Sequence, residues 1–150
     1  MTSGPKIPRK LFHRIIPSQV SRVDGVCCEI RALLEAAGLK EHCFTLELAL
    51  REALNNAILH GNDNLQTKSV QLDLAIGRKY IRITVIDQGP GFSWRKARRL
   101  QIPDSDATSG RGLYIISSCS DKISYSRVGN RLTFWIAKTA GEHLGKSVVH

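Results

Sequence analysis

The chain has 150 residues with 42% hydrophobic content, enough for one globular domain and too apolar for wholesale disorder. No run approaches the ~18 to 20 consecutive apolar residues that cross a bilayer. The start, MTSGPKIPRKLF, carries charge without the apolar segment of a signal peptide, so a cytoplasmic protein without membrane contact is expected.

The formal charge of +9 is uneven. Lys6, Arg9, Lys10 and Arg14 cluster near the start, Arg95, Lys96, Arg98 and Arg99 in one later stretch, and neither cluster contains an acid. Such patches suit phosphates, nucleic acid or an acidic protein partner, or are simply solvated faces. Cys27, Cys28, Cys43 and Cys119 form no C-x-x-C pair, and His13, His42, His60, His143 and His150 are scattered, so no zinc spacing exists. Three of the four cysteines sit in apolar surroundings and read as small core residues.

In chain order, residues 10–16 (KLFHRII) predict a first strand stopped by Pro17, and Ser18 reads as a helix N-cap. Val20, Val23, Cys27, Ile30, Leu34 and Ala37 then recur at helical spacing until Gly38. A second helix is predicted over 41–60, with Leu46, Leu50, Ala53, Leu54, Ala57 and Ile58 as its apolar face, Gly61 as its stop and NDN as loop.

The period then changes to two. Val70, Leu72, Leu74 and Ile76, then Ile81, Ile83 and Val85, alternate with polar residues around a Gly77-Arg78 turn. DQGPGF is a glycine-rich turn, 93–100 a short helix, PDSDATSG a polar loop and 111–119 another helix. Strands at 122–126 and 131–138, joined through Gly129-Asn130, close the domain. Residues 1–9 and about 139–150 are left as tails. The hairpins exclude a doubly wound parallel sheet. The expected fold is a two-layer α/β sandwich, a mixed, largely antiparallel sheet with helices on one face. Alternation sends Trp135 to the face without helices, which predicts a homodimer that covers it.

Three elements can carry chemistry. Glu52, Asn56 and His60 stand four apart on the second helix, placing a carboxylate and a carboxamide on otherwise apolar turns. Glu52 can accept a proton, and the Asn56 oxygen can ligate a hard cation such as Mg²⁺. Asp87-Gln88-Gly89-Pro90-Gly91-Phe92 follows a strand; its glycines let backbone approach a flat ligand while Asp87 can accept from an exocyclic amine. Ser109-Gly110-Arg111-Gly112-Leu113 opens a helix, whose free N–H groups make an anion site. Neither a Walker A loop nor a G-x-G-x-x-G is present.

Taken in order, E-x-x-x-N-A-x-x-H-G, D-x-G-x-G-F and G-R-G-L resemble the GHKL, or histidine-kinase-like, ATP-binding superfamily. Within it, REALNNAILHGN with a short interval to SGRGLYII resembles the anti-sigma factor serine/threonine kinases, over about residues 10–137. The resemblance implies ATP and Mg²⁺ as cofactors, Glu52 as general base and Asn56 as the Mg²⁺ ligand. It places Asp87 on the adenine amine with Gly89, Gly91 and Phe92 beside the base. Ser109, Gly110, Arg111, Gly112 and Leu113 would form the phosphate-binding turn, and 93–108 a short lid. It further implies a STAS-type anti-anti-sigma protein and a sigma factor as partners. Direct nucleic-acid contact is not expected, because it would leave the glycine motifs unexplained and the chain lacks an aromatic-rich strand pair for stacking. Two departures stand out: Gly129-Asn130 replaces the family's frequent Gly-Thr, and Gly25 falls within the first helix. A nucleotide-dependent binding module without catalysis is the alternative function.

Overall fold

A computed structural model describes residues 9–91, 108–139 and 147–149. Phe92, the expected helix at 93–100 and the basic cluster Arg95–Arg99 lie outside the described residues.

Alternating strands build a six-stranded sheet. β1 (Arg9–Pro17), β2 (Ser69–Ile76), β3 (Tyr80–Ile86), β4 (Lys122–Tyr125), β5 (Arg131–Ala137) and β6 (Ser147–Val149) lie in the order β1-β2-β3-β5-β4-β6. All neighbours are antiparallel except β4 and β6. The C-terminal stretch expected to be a tail therefore supplies an edge strand; three residues bounded by Lys146 and His150 are too short to register as a periodic pattern. Across the central pair, Ile81 faces Ile136, Ile83 faces Phe134 and Val85 faces Leu132. Phe134, Ile81, Ile83, Leu72 and Leu74 are fully buried on this inner face, each worth roughly 1.5 to 3 kcal/mol of apolar transfer.

Among the described residues, three helices cover that face: α1 (Val23–Ala36), α2 (Cys43–Asn56) and α3 (Thr108–Cys119). The two-layer sandwich expected from the sequence is the observed architecture. Val26, Cys27, Ile30 and Leu34 of α1 and Leu46, Leu50 and Leu54 of α2 join one core with the inner strands. Burial pushes the Cys27 thiol up to about 11, which makes it an inert core residue. Cys43 and Cys119 pack against the same core, and Cys28 is exposed.

Ser18 is not an N-cap. A 3₁₀ turn at Val20–Arg22 begins after Gln19, which makes no side-chain cap, and α1 starts only at Val23. Ser18 is instead fully buried, its hydroxyl donating to the Ile58 carbonyl at 3.4 Å and its N–H to Lys68 O at 3.0 Å. A tertiary acceptor has displaced the local capping role. The end of α1 follows the prediction. Gly38 has φ +75°, its N–H bonds Glu35 O at 3.1 Å, and Leu39 N–H bonds Leu34 O at 2.8 Å, a Schellman ending with both leucines buried.

The late start of α1 moves Gly25 from mid-helix to the first turn, and a β-carbon there would meet nothing within 4 Å. Gly38 also has open space, but its φ is left-handed. The same substitution should therefore act with opposite signs. Gly25→Ala should stabilise the fold by about 0.4 to 1 kcal/mol, and Gly38→Ala should destabilise it by about 1 to 2 kcal/mol, as read from urea unfolding midpoints.

Candidate functional site

The second helix does not run straight to Gly61. After Asn56 the chain takes a π-helical turn over Ala57–Gly61, closed by Asn62 N–H on Ala57 O at 2.8 Å. Such turns have no composition signal and concentrate at functional sites. This one carries Gly61 against the turn that follows β3, and a cavity of about 290 Å³ opens beside it. Its size is at the small end of ligand clefts, suited to a flat heterocycle. Ala53, Ala57, Val85, Leu113 and Leu132 form apolar walls, while Asn56, His60, Asp87, Tyr125 and Asn130 supply polar atoms.

The glycines are required by contact. A β-carbon on Gly89 would lie 1.8 Å from the Gly61 carbonyl oxygen, and one on Gly61 would lie 2.3 Å from Asp87 Oδ2. Gly91 has φ +84° and touches the hairpin between β4 and β5, where an added β-carbon would fall 1.6 Å from Val128 O. Backbone meets backbone on both sides of the cavity.

Asp87 sits half-buried in the cavity wall. Its Oδ1 accepts from Gly89 N–H at 2.8 Å, its N–H bonds Asn130 O at 3.0 Å, and Oδ2 has no hydrogen bond among the described residues. Burial holds its carboxyl above the usual carboxylate range, against the opposing influence of Gly89 N–H and Lys68. Asn130 thus touches Asp87 through its main chain.

α3 begins at Thr108, three residues earlier than predicted, so Ser109, Gly110 and Arg111 lie in its first turn and Gly112 opens the second. The turn comes down on α2: a β-carbon on Gly112 would lie 2.9 Å from Asn56 Nδ2, 3.2 Å from Asn56 Oδ1 and 3.2 Å from Glu52 Oε2. Glu52 and Asn56 are therefore brought against the N-terminal part of α3 at Gly112, one turn on from the N–H groups at the helix start that have no partner within the helix. Leu113 follows into the cavity wall. Of the expected Glu52, Asn56 and His60 column, Asn56 and His60 both line the cavity, while Glu52 meets Gly112 beside Asn56 and His60 falls in the π turn. Sequence reading overlooked Asn62, a fully buried residue taken for loop; only its burial distinguishes it.

This sandwich, with an apolar slot at one end of α2 and the start of α3 set beside it, has the form of a nucleotide-binding domain. The model of the histidine kinase-like ATPase domain matches residues 16–136, and the chain belongs to that family. No curated protein compared with the chain matches it. ATP is the nucleotide the family implies. Among the described residues no helix is long and apolar enough to cross a membrane.

The raised Asp87 pKa has a stability consequence. In the nucleotide-free fold the charged form is disfavoured, so Asp87 opposes folding at neutral pH and ceases to do so once pH falls below its unfolded value. Asp87→Asn should therefore stabilise the nucleotide-free protein at pH 7 and lose that advantage in acid, as measured by thermal melts across pH. The Asn oxygen can keep the bond to Gly89 N–H.

Proposed function

We propose that the protein is an ATP-binding anti-sigma regulatory factor with serine/threonine kinase activity toward a STAS-type anti-anti-sigma partner, and that it sequesters a sigma factor. The observation that carries the kinase reading is the meeting of Glu52 and Asn56 with the N-terminal part of α3 at Gly112. The motif REALNNAILHGN and the short interval to SGRGLYII support the anti-sigma part.

In this reading the adenine enters the apolar slot and its exocyclic amine donates to Asp87, with Gly89 and Gly91 against the ring. GTP, with a carbonyl at that position, should bind poorly. The α3 N–H groups receive the phosphates. Phosphoryl transfer asks for positioning, charge neutralisation and a base. The partner's hydroxyl oxygen bonds to the γ-phosphorus, the bond from that phosphorus to the β-bridging oxygen breaks to leave ADP, and Glu52 takes the hydroxyl proton.

Asn56 and Glu52 offer hard oxygens beside the phosphate turn, which fits Mg²⁺, a cation that uses few protein ligands and completes its shell with phosphates and waters. When bound it neutralises triphosphate charge. Asn56 would hold it, and Glu52 would remain the base.

A base matters when the proton moves, and a cation ligand matters once the triphosphate is held. Asn56→Ala should lower Mg²⁺-ATP affinity and transfer together. Glu52→Gln is nearly isosteric and should keep ATP and partner binding within a few fold while transfer falls by roughly 10² or more. Labelled ATP with a genuine partner, followed by phosphoserine detection, reads both. Transfer at the parent rate by Glu52→Gln would falsify the kinase assignment. A parent that binds ATP and partner without transferring phosphate would make it a nucleotide-gated binding module.

The homodimer is part of the proposal, placed on the outer sheet face. Trp135 lies there, but it is half-buried, with Lys122 Nζ 4.7 Å from its ring centroid. The apolar exposure is greater at β1, where Ile15 is 63% and Leu11 45% exposed. Sedimentation at tens of micromolar should show a dimer that Ile15→Lys dissociates; a monomeric parent would remove this element.

A further inference from the structure

Asn62 is fully buried outside the cavity wall, and a buried carboxamide is tolerated only when its polar atoms are paired. Both ends are. Oδ1 accepts from the main-chain N–H of Gln88 at 2.7 Å, and Nδ2 donates to the Ser69 carbonyl at 2.8 Å. Gln88 closes the arrangement from its own side chain, where Oε1 accepts from Ser69 N–H at 2.8 Å. These bonds join the end of the π turn, the start of β2 and the turn after β3.

The consequence falls on Asp87. Three successive N–H groups are each held: residue 87 by Asn130 O, residue 88 by Asn62 Oδ1, and residue 89 by Asp87 Oδ1. Of these anchors, Asn62 is the one made by the side chain of another element. Releasing it frees the peptide that links Asp87 to Gln88. A shift of about 1 Å at the carboxylate is enough to lose a hydrogen bond to a bound base.

We propose that Asn62 is a positioning residue of the nucleotide site. With Gln88 it forms a clasp on Ser69 that aims the Asp87 carboxylate and thereby sets the preference for an adenine amine over a guanine carbonyl. The inference rests on the reading of Asp87 as the group that meets the base.

The test uses the full chain, with ATP and GTP affinities from calorimetric titration and urea unfolding alongside. Asn62→Asp keeps the acceptor for Gln88 N–H and replaces the donor that faces the Ser69 carbonyl. Gln88→Ala opens the clasp from an exposed position, and Gln88→Glu keeps the acceptor for Ser69 N–H. ATP affinity should fall about tenfold in Asn62→Asp and Gln88→Ala while GTP changes little, so the selectivity ratio narrows by a similar factor. Gln88→Glu should restore the parent ratio. If Asn62→Asp does not fold, Gln88→Ala decides. An unchanged ATP-to-GTP ratio in folded Gln88→Ala, or equal losses for both nucleotides, overturns the clasp. Equal affinity of the parent for ATP and GTP overturns the Asp87 reading itself, which separates the two failures.

Discussion

The approach of the Gly61 carbonyl to Gly89 sets the spacing on which the site depends. Two main chains meet where a single β-carbon would fall 1.8 Å from an oxygen, so the end of α2 and the turn after β3 are as close as backbone can come. That contact fixes one side of the cavity, and Gly91 against Val128 fixes the other. Between them the slot is narrow enough for a planar group and lined by side chains that the sheet and α2 present inward. The π turn makes the approach possible, because it adds a residue to the last turn of the helix and displaces Gly61 toward the strand turn.

Helix α2 divides its polar residues between two tasks. Glu47 and Arg51 face α1 in a network of ion pairs with Arg31 and Asp24. Arg31, then Arg51, holds the Glu47 carboxyl below its usual range. Asp24 and Arg31 are exposed, whereas Glu47, which both arginines share, is only 17% exposed; the exposed ends of such a network contribute little each. Glu52 and Asn56 point the other way, to Gly112 of α3, and Glu52 has no ion pair among the described residues.

The local errors of sequence reading share one cause. Ser18 has the residue type and the position of an N-cap, yet its hydroxyl donates to Ile58, forty residues away in the chain. Asn62 looks like any loop asparagine, yet it links three elements through a fully buried carboxamide. In both cases a buried short polar side chain bonds main-chain groups that packing brings to it, and residue type alone does not signal which groups those are. Strand β6 shows the same limit, since its pairing with β4 supplies what its own three residues cannot.

Local chemistry determined most of the architecture: apolar periodicity placed the central strands and the buried faces of α1 and α2, and Gly38 ended α1 where its left-handed φ is needed. The order of the three motifs in the chain was enough to identify the ATPase family and to select Glu52, Asn56, Asp87 and the glycines. Only the tertiary structure decided how those motifs meet. Gly112 against Glu52 and Asn56, Gly89 against Gly61, and the clasp of Asn62 on Ser69 and Gln88 are contacts between segments far apart in sequence. Their distances follow from how the helices seat on the twisted sheet, a property of the packed core as a whole that no local run of residues encodes.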